Sequence, residues 1–203
     1  MKIDPELPYF VETGATDMHE DLELVQRAIS DIATALNKME DESIDRIVEA
    51  ILAARHVAVF GCGREGLQMR GLAMRLFHLG RAVSVVGEMT TPAIGSGDLL
   101  LISAGPGMLS TALALTEVGR KAGAKVMTIT AVSEGAVPKN SDEVVVVPAQ
   151  TMASEHGSDE VSLPMGSVYE GALFLLFEVV VLKLKARMGV TYEFMRANHT
   201  NLE

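Results

Sequence analysis

Five short apolar runs alternate with segments of helical periodicity, and this alternation restricts the fold of the 203-residue chain more than any other feature. The predicted strands lie at residues 57–60, 82–86, 99–102, 125–130 and 144–147. Strands that alternate with helices form parallel, doubly wound sheets. Strands that are apolar throughout are typical of sheets covered by helices on both faces. We therefore predict an α/β fold with a doubly wound, mostly parallel five-stranded sheet.

Helical spacing precedes the first strand and continues between and after the strands. Apolar residues recur at steps of three and four in the first helix, at Leu22, Val25, Ile29, Ile32 and Leu36. Further helices are predicted at residues 41–54, from the first glycine-rich loop to about residue 79, and at 110–122 and 167–188.

The chain is expected to form a single domain over residues 1–203. Residues 1–54 supply an N-terminal arm, irregular to about residue 16, and helices. Residues 55–203 supply the sheet, the last helix and the tail, with a polar loop at residues 154–162.

Composition excludes several classes of function. Hydrophobic residues make up 48% of the chain and charged residues 22%, which is typical of a globular protein. The net charge of −10 leaves no basic footprint for nucleic acid. The most apolar segment, residues 172–184, contains Glu178 and is shorter than the about 20 residues that span a bilayer. We expect no nucleic-acid partner and no membrane partner.

Cysteine usage and the N-terminus bear on localisation. Cys62 is the one cysteine, so no disulfide can form within the chain, and a reducing compartment is expected. The N-terminus is acidic and lacks the basic start and apolar run of a signal peptide. These features predict a cytoplasmic protein.

The first glycine-rich loop, Gly61-Cys62-Gly63-Arg64-Glu65-Gly66, lies between a predicted strand and a predicted helix. Glycine allows a sharp turn and a close approach of a ligand to the backbone, and the helix N-terminus offers free N–H groups to an anion. Three interpretations stay open at this point: a sugar ligand, a dinucleotide with Glu88 as the ribose-binding acid, or only a tight turn.

The second glycine-rich loop, Ser103-Ala104-Gly105-Pro106-Gly107, follows the third predicted strand. Ligands of open α/β sheets lie at the carboxyl ends of strands, so both loops are candidate binding loops. Thr90 and Thr91, after the second strand, either line the same pocket or only cap or turn the chain. The candidate substrate-binding residues are Gly61, Gly63, Arg64, Glu65, Thr90, Thr91, Ser103, Gly105 and Gly107.

From Arg64 onward the chain resembles the 6-phospho-3-hexuloisomerases, enzymes with the sugar isomerase (SIS) fold. The resemblance lies in Arg75-Leu76-Phe77-His78-Leu79-Gly80, Val85-Val86-Gly87-Glu88, Thr91-Pro92-Ala93-Ile94-Gly95-Ser96-Gly97-Asp98-Leu99-Leu100 and the ending His199-Thr200-Asn201-Leu202-Glu203. It covers roughly residues 20–203 in order and spacing. It implies a metal-independent isomerase that interconverts a 3-ketohexose 6-phosphate and fructose 6-phosphate, with a homotetrameric assembly.

The resemblance also implies two catalytic residues, Glu170 and His199. Glu170 aligns with the glutamate at the start of the last helix, where a carboxylate can move a proton through an enediol. The alternative is that Ser167-Val168-Tyr169-Glu170 is a capping box and Glu170 only closes the helix start. His199 matches the family's terminal histidine, which would assist ring opening or proton transfer. Its alternative is a surface histidine on a fraying tail.

Two positions depart from the family pattern. The first loop usually reads Gly-x-Gly-Arg-Ser-Gly, with a serine that helps to hold phosphate, and this chain has Glu65 there. The second loop usually reads Ser-x-Ser-Gly-x-Thr, and here only Ser103 clearly keeps its hydroxyl, while Pro106 lacks a backbone donor. A small sugar or sugar phosphate is the expected ligand, and the two departures leave three alternatives for it: a differently placed phosphate, a sugar acid or an unphosphorylated sugar. The alternative to an enzyme is a non-catalytic sugar-phosphate-binding module.

The remaining reactive side chains fit structural roles. His19, His56 and His156 lack metal-ligand spacing, and we predict neither a metal nor another cofactor. His78 is expected near a helix C-terminus. Cys62 begins a helix, where a thiolate is favoured, but no His or Asp partner is evident, so it is interpreted as a small packing residue.

Overall fold

Five strands form one sheet in a computed structural model that describes residues 18–154 and 162–202. The strands are β1 (Val57–Gly61), β2 (Val83–Val85), β3 (Leu99–Ser103), β4 (Lys125–Thr130) and β5 (Glu143–Val146). All neighbouring pairs are parallel, in the order β2-β1-β3-β4-β5. The predicted α/β class is confirmed, and the sheet is parallel throughout. The predicted arm at residues 1–16 and most of the polar loop at 154–162 lie outside the described residues.

The helices are α1 (Met18–Asn37), α2 (Ser43–Ala53), α3 (Gly63–His78), α4 (Ser110–Lys121), α5 (Ala136–Lys139), α6 (Ser167–Met188) and α7 (Tyr192–Ala197). The short helices α5 and α7 were not predicted from the sequence. The others lie where the apolar spacing places them, and α6 has the predicted bounds.

Helices cover both faces of the sheet. Successive side chains of each strand point to opposite sides, and both sets are apolar, so both faces need cover. On one face, residues such as Val57 and Leu99 pack against α1, α2, α3 and α6. On the other face, Ala58 and Leu100 pack with Ala112 of α4 and Val137 of α5. The doubly wound arrangement is therefore confirmed, with the larger core on the α6 side.

Helix α1 buries only part of its apolar face. Ile32 and Leu36 pack against the larger core. Leu22, Val25 and Ile29 are more than half exposed, at 56%, 54% and 62%. The predicted helix is thus present, but its first three turns carry apolar side chains that the described part of the chain leaves exposed.

The strand order reverses between β1 and β3. The chain passes from β1 to β2 on one side and then returns to place β3 on the other side of β1. Such a reversal opens a crevice at the carboxyl ends of the two strands, where open α/β sheets bind ligands. The register pairs Gly61 with Ser103, so the two glycine-rich loops leave the sheet side by side.

Within the described residues, no helix is long and apolar enough to cross a membrane.

Candidate active site

A cavity of about 410 Å³ lies beside the two glycine-rich loops. The loop after β1, the loop after β3 and the start of α6 contribute to its walls. Its lining residues are Cys62, Gly63, Arg64, Glu65, Pro106, Leu109, Thr151, Met152, Ala153, Met165, Gly166, Tyr169 and Glu170. The structure thus brings three of the predicted charged or catalytic residues, Arg64, Glu65 and Glu170, to one cavity.

Arg64 links the first loop to the start of α6. Its Nε lies 3.0 Å from Glu170 Oε2. One terminal nitrogen donates to Ser167 Oγ at 2.8 Å, and the other donates to the Met165 carbonyl oxygen. Glu170 is therefore held by a residue 106 positions earlier in the chain. The sequence of α6 alone does not reveal this contact.

The capping-box alternative for Glu170 is wrong. Gly166, with φ of 79°, precedes the first turn of α6, and no side chain caps that turn. The Ser167 hydroxyl accepts from Arg64, and the Ser167 amide donates to the Pro164 carbonyl. Because Glu170 pairs with Arg64 instead of closing the helix start, its carboxylate is available to face the cavity.

The surroundings of Glu170 act on its pKa in opposite directions. Partial burial raises the pKa above the ordinary glutamate value, and the charge of Glu65 raises it further, while the Arg64 guanidinium lowers it. Burial dominates, so the net pKa is raised. Proton transfer is most effective when the pKa lies closer to neutral pH, so this shift is in the direction that suits a general base.

Glu65 turns away from solvent toward the second loop. Its side chain is nearly buried, and its Oε2 accepts hydrogen bonds from Ser103 Oγ at 2.7 Å and from the Gly105 amide at 2.9 Å. Burial raises the pKa of Glu65, and these two hydrogen bonds oppose that effect. Ser103 and Gly105 thus lie behind Glu65 instead of lining the cavity.

Tyr169 was not among the candidate residues, although it lies next to Glu170 in the sequence. It is buried, its hydroxyl donates to the Ile129 carbonyl, and the same oxygen lies 3.2 Å from Ser103 Oγ. Burial raises its pKa well above 10, so the phenol stays neutral. Thr151 and Met165, which also line the cavity, carried no sequence signal.

The glycines of the first loop have separate roles. A side chain at Gly66 would place its Cβ 2.5 Å from the Gly61 carbonyl oxygen, so the two glycines allow β1 and α3 to pack closely. Gly63 has a positive φ of 54° with open space around its Cβ position. In the second loop, Gly107 has φ of 74° and packs against Val132.

Cys62 lines the cavity, but its thiol is not activated. Burial raises its pKa, and the nearby Glu65 charge raises it further. A neutral thiol is a poor nucleophile, which favours the packing role over a catalytic one.

Thr90 and Thr91 do not line this cavity. Thr91 Oγ1 donates to the Val85 carbonyl at 2.7 Å, and the Thr91 amide donates to the Glu88 carbonyl. These contacts turn the chain after β2. Glu88 pairs with Arg70 of α3 at 2.8 Å, so the carboxylate considered for a ribose is engaged in an ion pair.

His199 lies far from Glu170 of its own chain. Its ring stacks on His78, the last residue of α3, with 5.0 Å between ring centroids. Arg64 stands in the first turn of the same helix, about 20 Å away at the standard rise per residue. One chain therefore separates the two predicted catalytic residues by most of the length of α3.

Among the described residues, no group of three or more His, Cys, Asp or Glu side chains could hold a metal ion.

The fold and the cavity define a class, the sugar isomerases of the SIS type. The chain is 35% identical over 193 residues to 3-hexulose-6-phosphate isomerase of Mycobacterium gastri, covering 95% of each chain. It is 30% identical over 181 residues to the Bacillus subtilis protein of the same name, covering 89% of this chain and 98% of that one.

A crystal structure points the same way. A Methanococcus jannaschii protein, for which that structure infers a molecular function of 3-hexulose-6-phosphate isomerase, aligns with a TM-score of 0.75 and 26% identity over 91% of this chain and 99% of its own. No family model matches the chain. The chain belongs to the 3-hexulose-6-phosphate isomerase family, and the expectation of an isomerase for sugars or sugar phosphates is confirmed at that level.

Proposed function

We propose that the chain moves the carbonyl group of a ketose to the neighbouring carbon, with Glu170 as the base and without a metal. The observation that carries this proposal is the position of Glu170. It lines the cavity, its pKa is raised, and Arg64 of the first loop holds it through an ion pair.

The proposed reaction needs one carboxylate to move one proton. Ionised Glu170 takes a proton from the carbon next to the carbonyl, and the carbonyl oxygen takes a proton from water, which gives an enediol. Protonated Glu170 then returns its proton to the former carbonyl carbon, while the hydroxyl of the other carbon gives a proton back to water and becomes the new carbonyl. Substrate and product have the same atoms and the same overall oxidation state, so the step needs no redox cofactor.

The substrate we propose is a ketose related to that of the named relatives, 3-hexulose 6-phosphate. Of the candidate binding residues, Gly63, Arg64 and Glu65 line the cavity and would contact the substrate. Gly61 and Gly107 shape the two loops without lining this cavity, and Ser103 and Gly105 lie behind Glu65. Thr90 and Thr91 remain candidates only for a part of the ligand outside the described cavity.

The proposed working form is a cytoplasmic homotetramer. Apolar side chains on neighbouring stretches of α3 and α6 are about half exposed or more: Leu67, Met74, Phe77 and Phe174. We call these four residues the α3/α6 face. Burial of this face between chains would remove it from water, and assembly would allow His199 of one chain to reach the cavity of another.

Two readouts test the proposal. The pure protein is incubated in heavy water with a 3-ketohexose 6-phosphate, with fructose 6-phosphate and with the free ketoses. Sugar NMR then records product and the deuterium that enters the carbon next to the carbonyl. An enediol mechanism incorporates deuterium, even where the net conversion is slow, to the extent that the proton on Glu170 exchanges with the solvent before its return.

Glu170→Gln is the decisive variant, because glutamine keeps the size of the side chain and cannot take the proton. Loss of both product and deuterium, with binding retained, supports the proposal. The matched variant Glu178→Gln, on the same helix outside the cavity, should keep both. Binding of these sugars by the unmodified protein with neither product nor exchange would instead identify a non-catalytic sugar-binding module.

A further inference from the structure

The loop after β3 holds an anion that belongs to the protein itself. Two donors, the Ser103 hydroxyl and the Gly105 amide, converge on one oxygen atom, Glu65 Oε2, at 2.7 and 2.9 Å. Convergent amide and hydroxyl donors at the carboxyl end of a parallel strand form an anion site. Here the carboxylate of Glu65 occupies it, from the first turn of α3.

The packing around Glu65 leaves no space for a second anion at these donors. Ser103 is fully buried, with 0% exposure, and Tyr169 closes the other side. A Cβ built on Gly105 would lie 2.9 Å from the Tyr169 ring and 3.2 Å from Glu65 Oε1. Even one added methyl group would therefore crowd the loop.

The charges of the cavity also disfavour a phosphate group beside the second loop. Among the described residues, the charged lining groups of the cavity are the two carboxylates Glu65 and Glu170 and the guanidinium of Arg64. Arg64 is already paired with Glu170. A phosphate dianion beside the second loop would thus lie close to the Glu65 carboxylate, whose charge no cation of the cavity lining balances. The repulsion between the two negative charges would weaken phosphate binding there.

One oxygen of Glu65 remains suited to bind a neutral group. Both hydrogen bonds of the carboxylate that the described residues supply go to Oε2. Glu65 is itself a lining residue of the cavity. A carboxylate oxygen in this position accepts a hydrogen bond from a sugar hydroxyl.

We infer that Glu65 is a specificity-determining residue that keeps phosphate out of the second loop and makes this part of the cavity a site for an uncharged, hydroxyl-bearing end of the sugar. The inference rests on the proposed function in that the ligand is a sugar. A phosphate group on the substrate would have to lie at another part of the cavity.

Calorimetric titration with inorganic phosphate, fructose 6-phosphate and fructose tests the inference. The proteins are the unmodified chain, Glu65→Ser, Glu65→Gln and a control, Glu117→Ser, which removes an exposed carboxylate on α4 outside the cavity. Glu65→Ser frees the two donors and removes the charge. We expect its affinity for fructose 6-phosphate relative to fructose to rise by about tenfold or more, since hydrogen bonds to a charged group are strong.

The other variants separate two effects of Glu65→Ser: the loss of the carboxylate charge and the release of the donors on Ser103 and Gly105. Glu65→Gln keeps an oxygen against Ser103 and Gly105, so it should gain much less affinity for phosphate than Glu65→Ser, and Glu117→Ser should gain none. An unchanged or lower phosphate preference in Glu65→Ser overturns the inference. So does a crystal structure of the unmodified protein with phosphate bound to Ser103 and Gly105.

These outcomes stay separate from those of the proposed function. The titrations measure binding without turnover, whereas the deuterium experiment measures turnover. If Glu65→Ser does not fold, a crystal structure of the unmodified protein with phosphate still decides, because phosphate bound to Ser103 and Gly105 overturns the inference and phosphate bound elsewhere supports it.

Discussion

An ion pair between Arg64 and Glu170 connects two elements that line the cavity, with 3.0 Å between Arg64 Nε and Glu170 Oε2. Arg64 belongs to the first turn of α3 and Glu170 to the first turn of α6. The same guanidinium also binds Ser167 and the Met165 carbonyl, so it fixes the carboxylate and the helix start together. The cation lowers the pKa of the group that we propose as the base, while burial raises it.

The pH dependence of turnover follows from these opposing effects. A base must be ionised, so turnover should be low at acid pH and rise as the pH passes through the pKa of Glu170. Because the net pKa is raised, this acid limb should lie above the ordinary value of 4.5. Arg64→Gln removes the lowering effect and should move the limb to higher pH, with a lower kcat.

Arg70→Gln is the matched control for that prediction. Arg70 lies on the same helix and pairs with a carboxylate that does not line the cavity, Glu88. Its profile of kcat against pH, measured with the same substrate, should match that of the unmodified protein. An acid limb that Arg64→Gln leaves in place would show that this guanidinium does not tune the base.

Close packing of the first loop predicts a stability difference between two glycines of α3. Gly66→Ala would place a Cβ 2.5 Å from the Gly61 carbonyl oxygen, so it should destabilise the protein by about 1–3 kcal/mol. Gly71→Ala meets nothing within 4 Å and should stabilise the helix by about 0.5–1 kcal/mol. Urea unfolding of both variants measures the difference, and equal stabilities would contradict the packing argument.

The distance between the proposed catalytic residues predicts a shared site. His199 stacks on His78 at the far end of α3 from Arg64, so we expect another chain to supply it to each cavity. Glu170→Gln and His199→Ala should each be inactive. After subunit exchange in a 1:1 mixture, about a quarter of the sites would combine two intact residues.

Recovered activity in that mixture is the expected result, and each variant mixed with itself is the control. If mass spectrometry verifies the exchange and activity does not return, the shared site is wrong.

Exposed apolar residues predict the assembly surface. Light scattering should give four chain masses for the unmodified protein. Phe77→Asp places a charge in the α3/α6 face and should lower the mass. Val118→Asp alters a residue of similar exposure on α4, at 57% against 56% for Phe77, and should leave the mass unchanged. A monomer mass for the unmodified protein at micromolar concentration would refute the assembly.

Regular periodicity was sufficient to predict most of the fold. The bounds of β4 and α6 coincide with the predicted ones, and glycines mark both ends of α6, at Gly166 and Gly189. Helices α5 and α7 were missed because four and six residues are too few to display helical spacing. Parallel pairing followed from the alternation of strands and helices.

The site was predictable only in outline. Strand ends located both loops, but the contact between Glu65 and Ser103 joins residues 38 positions apart and depends on the register of β1 against β3. The sequence likewise offered a local cap as the alternative role for Glu170. That interpretation failed because Arg64, more than 100 residues away along the chain, takes the Ser167 hydroxyl.

The position of α6 has a consequence for synthesis on the ribosome. This helix packs against α1, α2 and α3, and its apolar side chains complete the larger core. A nascent chain that has reached β5 therefore holds three helices whose buried sides still lack their partner. Because domains fold as units and transiently exposed apolar surface promotes aggregation, we expect the larger core to close only after α6 has left the exit tunnel.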